Sequence, residues 1–365
     1  MGRLRAITIK EFWAVLRDPR SRIVLFVPPL LQLFIFTFAS TLDVKNFDVG
    51  ILDRSGGRAA IEFASQIAGS PNVRHVVPLR SDEALAHAID NQDVIAAIVL
   101  EPDFDVQLAR GGAKAGLILD GRRSNAAQIV AGYLQQIAMR TGATLRPGIA
   151  AAPPGSIVRH WFNPNLDYLW FTLPALVVIL GATTGLAVTG QSIARERELG
   201  TFDQLMVSPL RVHEILIGKT VPPICVGLIN GTIFLGVSVL LFGVPFTGSI
   251  LLFFLSLFIY LLALAGIGLF VSAASQTQQQ AFLGIFLVSV PVILLSGYAS
   301  PVDNMPGWLQ MISMADPARH FMVIVEGLFL KDMPVSEILS NIVPLILIAS
   351  VTISLAAWLF RARME

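Results

Sequence analysis

Only 14% of the 365 residues are charged and 54% are hydrophobic, against about a quarter charged in an average soluble domain, so much of the chain faces a solvent other than water. A formal net charge of +1 offers no concentrated basic patch and excludes nucleic acid as a partner. A lone cysteine, Cys225, excludes an intramolecular disulfide and a thiolate metal cluster. The five histidines, His75, His87, His160, His213 and His320, show no ligand spacing that supports a metal.

In chain order, residues 1–22 come first. Ile9, Phe12, Trp13 and Leu16 fall on one side of a helical wheel, with Lys10, Glu11 and Arg17 on the other, the pattern of an elbow helix lying in a membrane interface. Residues 23–42 form the first of six uncharged stretches that meet the length of about 20 apolar residues needed to cross a bilayer. Its apolar run is too long for a signal peptide and reads as a retained anchor. Charges, Gly and Pro return over residues 43–166, where β-like runs at Phe47–Leu52, Val73–Val77, Val94–Leu100 and Gly116–Leu119 alternate with helical ones at 58–68, 81–91, 104–110 and 125–140. That alternation predicts an inserted α/β domain, with Ser81 capping a helix and the Pro-rich segment 151–156 leading back to the membrane.

Residues 167–365 hold the other five stretches, Tyr168–Gly190, Val221–Leu241, Ser249–Val271, Ala281–Tyr298 and Ile342–Phe360. The predicted fold class is an α-helical polytopic membrane protein of six transmembrane helices. The basic residues of the N-terminal tail, of the loop after the second span (Arg195, Arg197, Arg211, Lys219) and of the C-terminal tail (Arg361, Arg363) share one side if there are six spans. Excess Lys and Arg stay inside, so both termini and the loop 191–220 are predicted to be cytoplasmic, and residues 43–166 and 299–340 extracytoplasmic. The loop is polar and punctuated: Thr201 with Gln204 suggests a capping box, and Ser208-Pro209 a second helix start. From 301 to 332 the chain is too apolar for a linker and too broken by Pro306, Gly307, Pro317 and Gly327 for a span. It reads as re-entrant or interfacial helices, a candidate outer gate in which Arg319 and Glu326 lie on one helix face.

The chemistry of catalysis is not visible. Gly218-Lys219-Thr220 is the nearest match to a phosphate loop, but His213 stands where that loop needs glycine and an apolar span follows. No serine has the setting of a hydrolase elbow. No Asp, Glu, Lys, Arg or His lies within the spans, which offer groups such as Gln32, Thr183, Thr184, Asn230 and Tyr260; ion-coupled carriers keep charges at that depth, so energy comes from elsewhere and an uncharged pathway favours a hydrophobic or amphipathic substrate. Gly181 with Gly185 and Gly227 with Gly231 have the spacing that lets helices approach closely, within one subunit or between two.

The run Arg195-Glu196-Arg197-Glu198-Leu199-Gly200-Thr201, followed by Leu205 and Ser208-Pro209, resembles the signature of type-two exporter permeases of the ATP-binding-cassette superfamily. The elbow, six spans, large outer domain and re-entrant segment together resemble the subgroup associated with multidrug efflux. The resemblance implies a permease subunit without its own ATPase site and without a bound cofactor, ATP and Mg residing on a partner ATPase present in two copies. It implies a dimer with a second permease, identical or paralogous, in a bacterial inner membrane in contact with lipid, and an outer domain that docks a periplasmic adaptor, shapes the exit path or binds substrate. Arg195, Glu196, Arg197, Glu198, Gly200, Thr201 and Leu205 would couple the loop to the ATPase. A membrane-anchored sensor or assembly protein with a ligand-binding outer domain is the alternative, and a passive channel the third reading.

Overall fold

The computed structural model describes residues 2–17, 19–39, 46–110, 112–145, 162–163, 167–202, 204, 207 and 210–363. The chain divides into two compact units, residues 41–159 and the remainder, the first starting slightly before and ending slightly before the 43–166 that composition suggests.

The larger unit is helical. It begins with α1 (Gly2–Arg17) and α2 (Pro19–Ala39). Among the described residues five helices are long and apolar enough to cross a membrane, whereas the apolar part of α2, Leu25–Phe38, is shorter. Many termini are set by local chemistry. Asp167 caps the helix Tyr168–Glu198 by accepting from Leu169 N, Thr277 caps Gln278–Leu295 by accepting from Gln280 N, and Asp316, with Pro317 at the first helical position, caps Pro317–Leu330.

The smaller unit supplies the next elements: β1 (Phe47–Asp53), α3 (Arg58–Ala68), β2 (Val73–Leu79), α4 (Asp82–Asp90), β3 (Ala96–Leu100), α5 (Phe104–Arg110), β4 (Ala115–Leu119) and α6 (Ser124–Leu145). The sheet order is β2-β1-β3-β4, with β1 parallel to both β2 and β3 and β4 antiparallel to β3. Helical crossovers connect the parallel strands, so β1 and β3 are covered on both faces; every residue of β3 is buried. Ser81 accepts from Ala84 N at the start of α4, as its position before Asp82 and Glu83 predicts. Arg54 at the end of β1 pairs with Asp82 and Glu101.

The helical unit continues with α7 (Tyr168–Glu198), α8 (Val212–Gly236, followed by a π turn at Val237–Leu241), α9 (Ile250–Ala274), α10 (Gln278–Leu295), α11 (Gly307–Ser313), α12 (Pro317–Leu330) and α13 (Val335–Ala362). The central helix is α7: 72% of its apolar window is buried inside the chain, against 17% for α10 and 22% for α13, which turn their side chains outward. Tyr260 of α9 donates to Val178 O at 3.0 Å and stacks on Phe321 of α12 with centroids 4.4 Å apart. Both glycine pairs face α9 within this chain. A Cβ at Gly227 would lie 2.6 Å from Leu261, and one at Gly231 2.4 Å from Leu257; Gly181 and Gly185 meet Tyr260 and Leu264. The intramembrane polar groups are spent on the fold as well: Thr183 and Thr184 donate to Leu180 O and Asn230 to Leu25 O.

Two helices run further than apolar composition predicts. α7 passes Gly190 to Glu198, and α8 begins at Val212 rather than Val221. No helix breaker precedes Gly200, and Arg and Glu are good helix formers, so most of the stretch 191–220 is helical extension of its neighbours.

Candidate coupling site

The site is built on the end of α7. Gly200 has φ +69°, the left-handed conformation that an L side chain resists. Around it, Thr201 N donates to Glu196 O at 2.9 Å and Gly200 N to Arg197 O at 3.1 Å, the two bonds of a Schellman motif. The Thr201 hydroxyl also donates back to Glu196 O. Beyond this stop Phe202 and Gln204 are helical. Leu205 and Ser208-Pro209 lie outside the described residues.

The four charged residues of the motif divide by helix face. Arg195 is exposed. Glu196 is buried at 8% exposure, with Lys10 Nζ 3.1 Å from Oε1 and Lys219 Nζ 2.7 Å from Oε2, the latter a charge contact without hydrogen-bond geometry. Arg197 donates to Ala273 O at 2.9 Å and Ser275 O at 2.8 Å, and its guanidinium lies 4.7 Å above the Phe202 ring. Glu198 accepts from Gln278 N at 2.8 Å, placing a carboxylate at the positive end of α10. Phe202 packs edge-on against Phe360 of α13, with centroids 5.8 Å apart. The end of α7 is thereby tied to α9 and α10, and Phe202 beyond it to α13.

α1 lies against α8. Ile7 is buried with Ile193, Phe202, Ile215 and Leu216; a Cβ on Gly218 would sit 2.7 Å from it. Ile9 and Trp13 face outward at 43% and 50% exposure, Phe12 is half-buried, and Arg17 covers the Trp13 ring at 4.6 Å. The Leu16 side chain lies outside the described residues. Burial opposes the charge on Lys10, but Glu11 and Glu196 outweigh it and hold the pKa above the ordinary lysine value.

Sequence reasoning missed three members of this site, the Lys10 partner of Glu196 among them. Lys219, dismissed with the false phosphate loop, is almost wholly buried, and Glu11, placed on a solvated face, lies 3.5 Å from it. The available signal was a single lysine at the edge of a long apolar stretch, where an unpaired charge would be costly.

Arg319 and Glu326 do not pair in this chain. Arg319 donates instead to Gln310 O and Ser313 Oγ of α11, because the close of α11 leaves those acceptors a turn away. Glu326, half-buried, has no hydrogen-bond or ion-pair partner among the described residues.

The model of the ABC-2 family transporter protein matches residues 20–358. The chain belongs to the ABC-2 transporter family. This ABC-2 permease is 41% identical over 364 residues, 99% of both chains, to the probable multidrug ABC transporter permease YbhR of Escherichia coli K12. It is 32% identical to the probable multidrug ABC transporter permease YbhS of the same organism, over 98% of this chain and 96% of the relative. At 22% identity, 89% of the chain matches 46% of ABC transporter G family member 20 of Dictyostelium discoideum. The ABC-2 chain is a multi-pass membrane protein.

Proposed function

We propose that this permease is the membrane subunit of an ATP-driven exporter, pairing with a second permease, identical or paralogous, and with two separate ATPase subunits. The observation that carries the proposal is the closed end of α7. Its Schellman stop and the anchors of Arg197 and Glu198 join the end of α7 to α9 and α10, and Phe202 joins the residue beyond to α13, so force applied there reaches the helices of the bundle and is not lost in a loose loop. Arg195, Glu196, Arg197, Glu198, Gly200, Thr201 and Leu205 form the coupling element, with both termini and this loop in the cytoplasm of an inner-membrane protein and α2 as the sixth span.

Hydrophobic or amphipathic molecules fit the uncharged spans, and the names of YbhR and YbhS as multidrug permeases support that class. ATP and Mg belong to the partner, since Lys219 is committed to Glu196 and Glu11. The unit 41–159 lies outside, where it meets a periplasmic adaptor or shapes the exit; α1 seats in the lipid interface through Ile9, Phe12, Trp13 and Leu16, and α11–α12 form an outer gate with Arg319 and Glu326. Affinity purification from native membranes, followed by reconstitution and transport of a fluorescent amphiphile, tests this reading. Recovery of an ATP-binding subunit and ATP-dependent accumulation in inside-out vesicles is expected; a chain that purifies alone and moves the dye passively would overturn it.

A further inference from the structure

Lys219 is 2% exposed, and a lysine ammonium withdrawn from water is costly unless carboxylates compensate it. Its Nζ lies 2.7 Å from Glu196 Oε2 on α7 and 3.5 Å from Glu11 Oε1 on α1, and it donates to Ser192 Oγ at 3.4 Å. Lys10 closes the group, 3.1 Å from Glu196 Oε1 and 3.2 Å from Glu11 Oε1. Two cations and two carboxylates from three helices therefore neutralise one another. Both Glu196 oxygens already face a lysine of this chain, so this acid serves an internal contact, while Arg195 remains exposed on the surface of α7. Beside the charges, Gly218 brings the α8 backbone against Ile7, leaving α1 little room to slide.

The geometry points to Lys219 as a positioning residue that clamps the elbow helix to the coupling end of α7, so that α1, this end of α7 and the first turns of α8 move as one body. The inference deepens the reading of the loop as the seat of an ATPase and rests on it for its functional consequence. A push received after Gly200 is then delivered to the interfacial helix as well as to the spans. Loss of the clamp lets the loop move without α1, and ATP is hydrolysed with less work done on the pathway.

The test places spin labels at Ala6→Cys and Leu199→Cys in a Cys225→Ser background and measures their separation in the full complex, with and without trapped ATP. In the labelled parent the separation is expected to be narrow and the same in both states. Glu11→Gln, which removes the charge that α1 offers Lys219 while leaving Lys10 and Lys219 on Glu196, and Lys219→Met are each expected to broaden it. Each also lowers substrate moved per ATP about tenfold, with Lys219→Arg restoring both readouts. A parent separation that changes between the two states overturns the clamp, as do Glu11→Gln and Lys219→Met variants that keep the parent separation and coupling ratio. If no ATPase subunit joins the complex, the coupling reading fails, and the same distances in the permease alone still decide the clamp.

Discussion

Gly200 shows how much one residue decides. A Cβ there would meet no atom within 4 Å, so space is not the constraint; the positive φ is. Gly200→Val is expected to cost about 1–2 kcal/mol at the end of α7, seen as a lower melting temperature of the detergent-solubilised permease together with weaker coupling of hydrolysis to transport. A variant that melts and couples like the parent would show that the left-handed stop is dispensable. The punctuation at Gly200 was legible in the sequence, because backbone chemistry is local. The partners of Glu196 were not: Lys10 and Lys219 reach it only after three helices have packed, and no spacing along the chain announces that.

Helices and strands were read well where their signals are local and poorly where they depend on neighbours. α3 spans the residues that the sequence pattern predicts, and Ser81 caps α4. By contrast, α7 and α8 run into polar sequence, since hydropathy marks the lipid boundary and not the helix end. Gly227 and Gly231 illustrate the same limit: their spacing predicts a close approach, and only packing reveals α9 as the partner. Gly231→Leu is expected to force α8 from α9 at a cost of about 1–3 kcal/mol, read as loss of folded protein at the parent's melting temperature. For α1, Trp13→Asp removes the amphipathic anchor of its outward face; carbonate extraction or lipid quenching of a label on α1 should report looser seating, and unchanged seating would argue against an interfacial helix. In the sheet, Arg74 on β2 holds the Asp48 carboxyl below its ordinary pKa, against a smaller opposing effect of burial, with His75 assisting. A depressed carboxyl pKa contributes stability above the unfolded value of about 3.9 that is lost as pH falls through the folded one. Asp48→Asn should therefore flatten the acid limb of the unfolding profile and leave the neutral limb nearly parallel.

At the scale of the whole molecule, composition separated an apolar helical part from a more charged part, and the compact unit 41–159 falls close to where charge returns. Among the described residues five helices meet the length and apolarity of a span while α2 carries a shorter apolar run. The short helices α11 and α12 were legible as broken hydrophobic sequence, but not the depth to which α12 is folded into the core through Phe321 and Phe329. The account turns on one claim, that the segment after α7 receives an ATPase. Val207 is 86% exposed there, so the direct measurement is photocrosslinking in native membranes from Val207, with Ile118 of the β4 strand, 43% exposed, as the comparison position. The account predicts an ATP-binding subunit joined at Val207 and none at Ile118; no ATP-binding subunit at Val207, or one at Ile118, would contradict it.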